Sequence, residues 1–183
     1  MVAFNRRFAP AYIKLKETIA ENGGNIQYIN YKFHRINRLD SNFEDTAIHA
    51  IDTVKFLAGC DFKQAGITYQ EMPCLGKNVA NYYIHFEFIN GIHATAEILV
   101  STGELFEGCE IHAGEKIYRA SLPLGSADPA DIYIEQGFYN EHKYFYECLI
   151  NGKDPGNGAD TAVQSVAVCQ ALKNRENSVV FLS

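Results

Sequence analysis

Two strand-like segments joined by Asn90-Gly91 limit most strongly what this chain can fold into. Residues 82–89 and 92–100 are rich in aromatic and β-branched side chains, and Asn-Gly between two such runs is the strongest short-range signal for a β-hairpin. With a two-residue turn, one face carries Tyr82, Ile84, Phe86, Phe88 and Leu99. The other face carries Ile89, Ile92, Ala94, Ala96 and Ile98. Both faces are then apolar, which predicts helices over one and a partner subunit over the other.

A helix, a strand and a second helix are predicted before this hairpin. Pro10 suits the first turn of a helix that stops at Gly23-Gly24, and apolar and polar residues alternate over 29–34 as in a strand. Residues 41–44, Ser-Asn-Phe-Glu, have the spacing of a capping box and open a helix that ends at Gly59.

Further strands and two more helices are predicted after the hairpin. Short strands continue to residue 122, and helical patterns follow at 139–150 and about 160–173. The apolar residues 179–182 predict a terminal strand. This order predicts one α+β domain over residues 1–183, with an open, mostly antiparallel β-sheet. Helices are expected on one face of the sheet, and the other face is expected to be available for oligomerisation.

The composition argues against nucleic-acid and membrane partners. The net charge is −6 and the longest basic cluster is Arg6-Arg7, whereas nucleic-acid binding depends on many Lys and Arg side chains. No apolar run approaches the roughly 20 residues that span a membrane. The cysteines form no Cys-x-x-Cys pair, so free thiols in a reducing cytoplasm are predicted. They are Cys60, Cys74, Cys109, Cys148 and Cys169.

The second predicted helix carries residues that could perform chemistry. Asp45, His49 and Asp52 are spaced i, i+4 and i+7, so they share one helix face. A carboxylate one turn from an imidazole can orient it and stabilise its protonated form, which suits a general base. The alternative interpretation is a solvated helix face that contains acids and a histidine.

Other catalytic and binding motifs are missing from the sequence. In the two-residue-turn register, His85 and Glu87 lie on the opposite face from His93 and Glu97, so no metal site is predicted. No cysteine stands in a nucleophile motif, and neither Gly-x-Gly-x-x-Gly nor a P-loop occurs. The chain is therefore expected to have no nucleotide-phosphate cradle of its own.

Several segments resemble the glucose–fructose oxidoreductase/inositol dehydrogenase/MocA (Gfo/Idh/MocA) family. Residues 2–10, Val-Ala-Phe-Asn-Arg-Arg-Phe-Ala-Pro, resemble the segment that leaves the family's Rossmann domain. Residues 43–57 resemble its Asp-x-x-x-His-x-x-Asp helix, and residues from Gly158 onward resemble its closing helix. Asn37-Arg38 resembles a pair in the virulence-factor-like (MviM) branch. The resemblance covers essentially the whole chain and implies the family's C-terminal domain.

The resemblance implies a role for each candidate residue. His49 would accept a proton from a substrate hydroxyl, Asp45 would orient its imidazole, and Asp52 would be structural. The candidates for contacts to the substrate or to the cofactor-bearing domain are Arg7, Asn37 and Arg38. The cofactor would be NAD or NADP, bound in the full-length protein and not by this chain alone.

The sequence also departs from the family's pattern. The glycine-rich fingerprint and the Glu-Lys-Pro segment of the N-terminal Rossmann domain are absent, so this domain is expected to be missing from the chain. Residues 39–42, Leu-Asp-Ser-Asn, replace the glycine-rich approach that many members have before the Asp/His helix. This replacement predicts a differently shaped sugar pocket.

Three hypotheses about function follow. The leading one is the substrate-binding and dimerisation domain of an NAD(P)-dependent oxidoreductase for a sugar, a polyol or a sugar derivative. The chain alone would be inactive and would form a homodimer or tetramer through the sheet. The second hypothesis is a stand-alone ligand-binding or assembly module without catalysis. The third is a lyase or isomerase in which Asp45 and His49 abstract a proton without a cofactor.

Overall fold

The computed structural model describes residues 1–39, 42–125 and 128–181. These residues form five α-helices, seven β-strands and one 3-10 turn, Asn5–Phe8. The helices are α1 (Pro10–Glu21), α2 (Phe43–Ala58), α3 (Pro129–Glu135), α4 (Phe138–Ile150) and α5 (Ala159–Asn174). The strands are β1 (Ile26–His34), β2 (Phe62–Glu71), β3 (Ala80–Phe88), β4 (His93–Leu99), β5 (Phe106–Ala113), β6 (Lys116–Ser121) and β7 (Ser178–Val180).

The strands form one sheet in the order β6-β5-β1-β4-β3-β2-β7. β1 runs parallel to β4, and the other neighbouring pairs are antiparallel. The predicted α+β fold with an open, mostly antiparallel sheet is confirmed. Since β1 lies between β5 and β4, the chain that leaves its carboxyl end reaches α2 from the middle of the sheet.

The turn of the β3–β4 hairpin differs from the predicted one. The N–H of Phe88 donates to the carbonyl of Ile92 at 2.9 Å, and the N–H of Gly91 donates to the carbonyl of Phe88 at 3.0 Å. Three residues therefore form the loop, and its last residue, Gly91, has the positive φ of 84° that this turn requires. The predicted two-residue turn is wrong, and the extra residue moves each side chain of β4 to the opposite face.

One face of the sheet carries the apolar residues of both hairpin strands and forms the core. Across the hairpin, Tyr82 pairs with Ile98 and Ile84 with Ala96, and all four are buried. Helix α2 packs against β1, β4 and α5 through its buried stripe, which comprises Ala47, Ala50, Ile51, Val54 and Leu57. Burying each large apolar side chain stabilises the fold by roughly 1.5–3 kcal/mol. This packing fixes the position of the candidate residues on α2.

The second face is polar, so the prediction of two apolar faces is wrong. Neighbouring strands are joined on this face by His34–Glu97 at 2.6 Å, Tyr28–Thr95 at 2.6 Å and Arg119–Glu110 at 2.7 Å. The actual register sends Ala94, Ala96 and Ile98 into the core and leaves the alternate residues of β4 on this face. The argument for a partner subunit from an apolar second face therefore fails.

The corrected register also changes the reasoning about a metal site. His85 and His93 lie on the same face, with Nε2 of His85 3.1 Å from Nδ1 of His93, and not on opposite faces as predicted. Among the residues that the structure describes, no group of three or more His, Cys, Asp or Glu side chains could hold a metal ion.

The two ends of α2 are formed differently from each other. Gly59, with φ 63°, closes the C-terminus, and its N–H donates to the carbonyl of Lys55, as predicted. The N-cap is Asn42, which makes no side-chain capping bond. Glu44 accepts a hydrogen bond from the Tyr82 hydroxyl at 2.8 Å, so its predicted role in a capping box is wrong. Ser41, the other member of that box, lies outside the described residues.

The remaining predicted elements lie close to their expected positions. Helix α1 has Pro10 in its first turn, β1 contains the alternating segment, and α4 and α5 cover the two late helical patterns. β7 is shorter than the predicted strand, of which Leu182 lies outside the described residues. No helix in the described part of the chain is long and apolar enough to cross a bilayer.

Candidate active site

His49 of α2 lines an open cleft of about 550 Å³. The cleft lies where the 3-10 turn, the segment after β1, α2 and the start of α4 meet. Its lining residues are Arg6, Arg35, Ile36, Arg38, Thr46, His49, Leu105, Leu124, Gln136 and Phe138. The apolar members provide surface for the carbon skeleton of a ligand, and the imidazole and guanidinium groups provide polar contacts.

A buried ion network forms the base of this cleft. Nε and Nη2 of Arg6 donate to the two carboxylate oxygens of Glu107 at 2.9 and 3.2 Å, and Nη2 of Arg35 donates to Oε2 at 2.5 Å. The side chain of Glu107 is 0% exposed, and those of Arg6 and Arg35 are 8% exposed. Burial favours a raised pKa for Glu107, but the charges and hydrogen bonds of the two arginines outweigh it and lower the pKa. Glu107 is therefore ionised at neutral pH.

Two tyrosines extend this network into the core. The hydroxyl of Tyr31 donates to Oε1 of Glu107 at 2.8 Å and lies 3.1 Å from the hydroxyl of Tyr12. Burial, followed by the negative charge of Glu107, raises the pKa of both tyrosines well above 10. Both hydroxyls therefore stay protonated, and the network retains two arginine charges against one carboxylate charge.

His49 is unprotonated at neutral pH. Burial and then the positive charge of Arg6 lower the pKa of its imidazole from 6.5 to about 4. Nδ1 is buried and has no hydrogen-bond partner. Nε2 also makes no hydrogen bond within the described residues, but it is not enclosed. Nε2 is therefore the ring atom that a ligand in the cleft can reach.

Asp45 does not contact His49 in this structure. It is one helical turn earlier on α2 and is exposed, and no hydrogen bond joins it to the imidazole among the described residues. The spacing correctly places both residues on one side of α2, but it does not determine which rotamers they adopt. The unpaired Nδ1 of His49 lacks the acceptor that was expected from Asp45.

Asp52 and Arg7 form a separate ion pair beneath α2. Nε and Nη2 of Arg7 donate to the carboxylate of Asp52 at 2.8 and 2.6 Å, and the Ser165 hydroxyl donates to it at 3.3 Å. The side chain of Asp52 is 1% exposed. This bidentate contact ties the 3-10 turn to α2 and α5, which agrees with a structural role for Asp52. Arg7 does not line the His49 cleft.

Asn37 and Arg38 lie in the segment between β1 and α2. Asn37 is exposed and has a positive φ of 51°, a conformation that asparagine tolerates better than most residues, and it does not line the cleft. Arg38 does line the cleft, and its Nη2 donates to the Thr46 hydroxyl at 3.4 Å. Of the predicted site residues, the structure therefore brings Arg38 and His49 to the cleft.

Sequence reasoning missed the network of Arg6, Arg35 and Glu107. One signal was available, because Glu107 precedes Cys109 and Ile111 in the alternation of β5 and so falls on the apolar face. A carboxylate on such a face requires a cationic partner. The partners themselves could not be identified from spacing, since they come from the 3-10 turn and from the end of β1.

Comparison with known proteins shows which proteins this chain resembles in sequence and in fold. No protein-family model matches the chain. The chain is 27% identical to inositol 2-dehydrogenase of Paracoccus denitrificans (strain Pd 1222), with 68% of this chain and 39% of that protein covered. It superposes on the dehydrogenase MviM of Clostridium difficile with a TM-score of 0.76 and 24% identity, covering 96% of this chain and 61% of that one.

A second solved structure shares the fold at lower identity. The match to myo-inositol dehydrogenase of Lactobacillus casei, solved with NAD(H) and myo-inositol, has a TM-score of 0.76 and 14% identity and covers 100% of this chain and 62% of that one. The chain thus spans about two fifths of the length of its curated relative. These matches confirm the resemblance that the sequence motifs indicated. The chain is thus similar to dehydrogenases of the Gfo/Idh/MocA oxidoreductase family and shares the fold of about three fifths of the solved chains.

Proposed function

We propose that this chain is the substrate-binding and dimerisation domain of an NAD(P)-dependent oxidoreductase that acts on a sugar, a polyol or a sugar derivative. The observation that carries the proposal is the unprotonated His49, whose accessible Nε2 lies in a cleft of about 550 Å³ with apolar walls and guanidinium donors. A cleft of this size can hold a single polyhydroxylated ring.

In this proposal His49 is the proton acceptor. Its Nε2 takes the proton of a substrate hydroxyl while the adjacent carbon loses a hydride. Accepting at Nε2 requires the other ring nitrogen to carry a hydrogen, and Nδ1 then needs an acceptor. Asp45, one turn away on α2, is the proposed acceptor, and its carboxylate would also stabilise the imidazolium against the charge of Arg6.

The cofactor site is proposed to lie outside this chain. The sequence has no glycine-rich phosphate cradle, so its residues do not fit the pyrophosphate of a dinucleotide. NAD or NADP would supply the hydride acceptor when bound to an N-terminal Rossmann domain of the full-length protein. Arg7, Asn37 and Arg38 remain proposed contacts to that domain or to the substrate, and the chain alone would be inactive.

We further propose a homodimer or tetramer assembled through the polar sheet face. This face carries cross-strand charged pairs such as Lys63–Glu87 and Arg119–Glu110, together with the half-exposed Ile117. Interfaces between subunits can be as polar as the rest of a protein surface. Sedimentation as a monomer at micromolar concentration would contradict this assembly. The five free cysteines are consistent with the proposed cytoplasmic location.

Nucleotide binding tests the proposal that the cofactor site lies outside this chain. NAD(H) and NADP(H) are titrated by calorimetry into this chain and into the full-length protein. Binding by the full-length protein alone is expected. Tight binding by this chain would contradict the assignment of the cofactor site, and absence of binding by either would favour a ligand-binding or assembly module. Turnover of a sugar by this chain without any nucleotide would favour a lyase or isomerase.

A further inference from the structure

The ion network beneath the His49 cleft has more positive than negative charge. Arg6 and Arg35 both line the cleft, and Glu107, which lies behind them, is the carboxylate that each of them binds. No acidic side chain among the described residues lines the cleft itself. The base of the cleft therefore keeps an excess of about one positive charge in a setting where water is largely excluded.

The two arginines also keep hydrogen-bond donors unused. A guanidinium has five N–H donors. Arg6 donates two hydrogen bonds, both to Glu107, and Arg35 donates three, to Glu107 and to the carbonyls of His34 and Phe106. Nη1 of Arg6 and Nε of Arg35 make no hydrogen bond in the described part of the chain, and neither is enclosed. These atoms are open to a ligand that enters the cleft.

We infer that the cleft takes a sugar acid, a polyhydroxylated substrate whose carboxylate binds at Arg6 and Arg35 while a hydroxyl faces His49. This inference rests on the proposed function and names its substrate class. An arginine fork binds a carboxylate through charge-assisted hydrogen bonds, which are stronger than those to a neutral hydroxyl or amide. The carbon skeleton of the acid would lie against Leu105, Leu124 and Phe138.

The amount of charge favours a carboxylate over a phosphate. A carboxylate carries one negative charge and matches the net charge of the buried group formed by Arg6, Arg35 and Glu107, on which this comparison rests. Arg38 also lines the cleft, where it donates to the Thr46 hydroxyl. A phosphate monoester carries about 1.5 to 2 negative charges at neutral pH, so part of its charge would remain uncompensated near the buried Glu107. Sugar phosphates are therefore expected to bind less well than sugar acids of the same ring.

A matched set of ligands tests this inference on the unaltered chain. D-Galacturonate, D-galacturonamide and D-galactose 6-phosphate are titrated without nucleotide, and amide shifts in the ¹H–¹⁵N spectrum report binding. We expect galacturonate to bind about 10-fold more tightly than the amide, with shifts centred on Thr46, His49 and Leu105. Equal or tighter binding of the amide or of the phosphate overturns the inference. Absence of shifts with galacturonate at tens of millimolar also overturns it.

Substitutions locate the carboxylate. Arg6→Lys keeps the charge but loses the fork, and we expect it to reduce the preference for galacturonate over the amide. Arg119→Lys, on the polar face, is the matched control and should leave the preference unchanged. Preference retained in a folded Arg6→Lys variant would place the carboxylate elsewhere. If Arg6→Lys does not fold, the ligand comparison on the unaltered chain decides.

The proposed function can fail independently of this inference. Reduction of NAD(P) by the full-length protein with any sugar or polyol tests the oxidoreductase assignment, whereas the ligand comparison involves no nucleotide. Selective binding of galacturonate without any dehydrogenase activity would retain the sugar-acid site and reject the enzyme. Oxidation of neutral polyols alone would support the enzyme and reject the sugar-acid site.

Discussion

Two glutamates of β5, three residues apart, make the same kind of contact on opposite faces of the sheet. Glu107 accepts hydrogen bonds from Arg6 and Arg35 on the helix-covered face. Glu110 accepts hydrogen bonds from Arg119 at 2.7 Å and His112 at 3.1 Å on the polar face. Glu107 is 0% exposed, whereas the side chain of Glu110 is 34% exposed.

The difference shows that burial, and not the number of partners, determines what such a cluster does. Around Glu110, water can replace either partner, and a surface ion pair adds little to stability. Around Glu107, water cannot replace a lost partner, so each charge depends on the others. The same exclusion of water lowers the pKa of His49, and the positive charge of Arg6 lowers it further. The chemistry of the cleft therefore depends on a network that is also essential to the fold.

The largest difference between substitutions on the two faces of the sheet is expected in catalysis. In the proposed full-length oxidoreductase, His49→Ala should lower kcat for sugar or polyol oxidation by about 10²- to 10⁴-fold, the usual contribution of a general base. The rate of NAD(P)H formation under saturating substrate measures this effect. His112→Ala, on the polar face, is the control and should leave kcat unchanged. Equal rates for the His49 variant and the unaltered protein would remove His49 from the mechanism.

The second expected difference between substitutions on the two faces is in stability. Glu107→Gln leaves two buried guanidinium groups without a compensating carboxylate and should lower the free energy of unfolding by about 3–5 kcal/mol. Glu110→Gln removes the same charge from the exposed cluster and should leave the unfolding curve nearly unchanged. Urea denaturation of both variants measures the contrast. Similar midpoints for the two variants would show that burial is not the deciding factor.

Two glycines allow a comparison of packing on the two faces. A Cβ at Gly137 would lie 2.1 Å from the carbonyl oxygen of Asn5, and the φ there is 89°. Gly137→Ala should therefore destabilise the fold by about 3 kcal/mol through strain and displacement of the 3-10 turn. At Gly66 on β2, a Cβ would meet nothing within 4 Å, so Gly66→Ala should be close to neutral. Thermal unfolding of both variants provides the test, and a neutral Gly137→Ala would contradict the close approach.

The smallest expected effect is a pH dependence of stability. The pKa of His49 is about 4 in the folded chain and 6.5 without its environment, so between these values the unfolded chain binds more protons. Stability should therefore fall as the pH is lowered from 7 to 5, by about 2 kcal/mol from this residue. His49→Gln should remove this part of the pH dependence in urea titrations, and His112→Gln should not. An unchanged dependence in the His49 variant would contradict the lowered pKa.

The sequence allowed much of the fold to be predicted because the main signals were local. Pro10 and Gly59 mark helix ends, and strands show a period of two, so the order of elements and the fold class could be obtained. The hairpin register could not, because Asn90-Gly91 occurs in both two-residue and three-residue loops. An error of one residue in the length of this loop reversed the face assigned to all of β4. It led to the wrong prediction of an apolar second face.

The candidate site could be predicted only in part. The helical spacing indicated His49, and the position of Asp52 within an Asp-x-x-x-His-x-x-Asp pattern agrees with its buried pairing to Arg7. Spacing could not show that Asp45 would be exposed or that Arg6 and Arg35 would converge on Glu107. Those contacts join segments that are far apart in sequence, and their partners are determined by the topology of the sheet.

The central position of β1 also has a consequence for how the chain folds. β1 precedes all other strands, yet its neighbours in the sheet are β4 and β5. Tyr28 therefore pairs with His93, and Phe33 pairs with Glu107. The β3–β4 hairpin needs only local loop closure, whereas the pairing of β1 requires long loops to close at a larger entropic cost. We expect β3–β4 to form early and β1 to be inserted late. The cleft that contains His49 would then be among the last parts of the molecule to assemble.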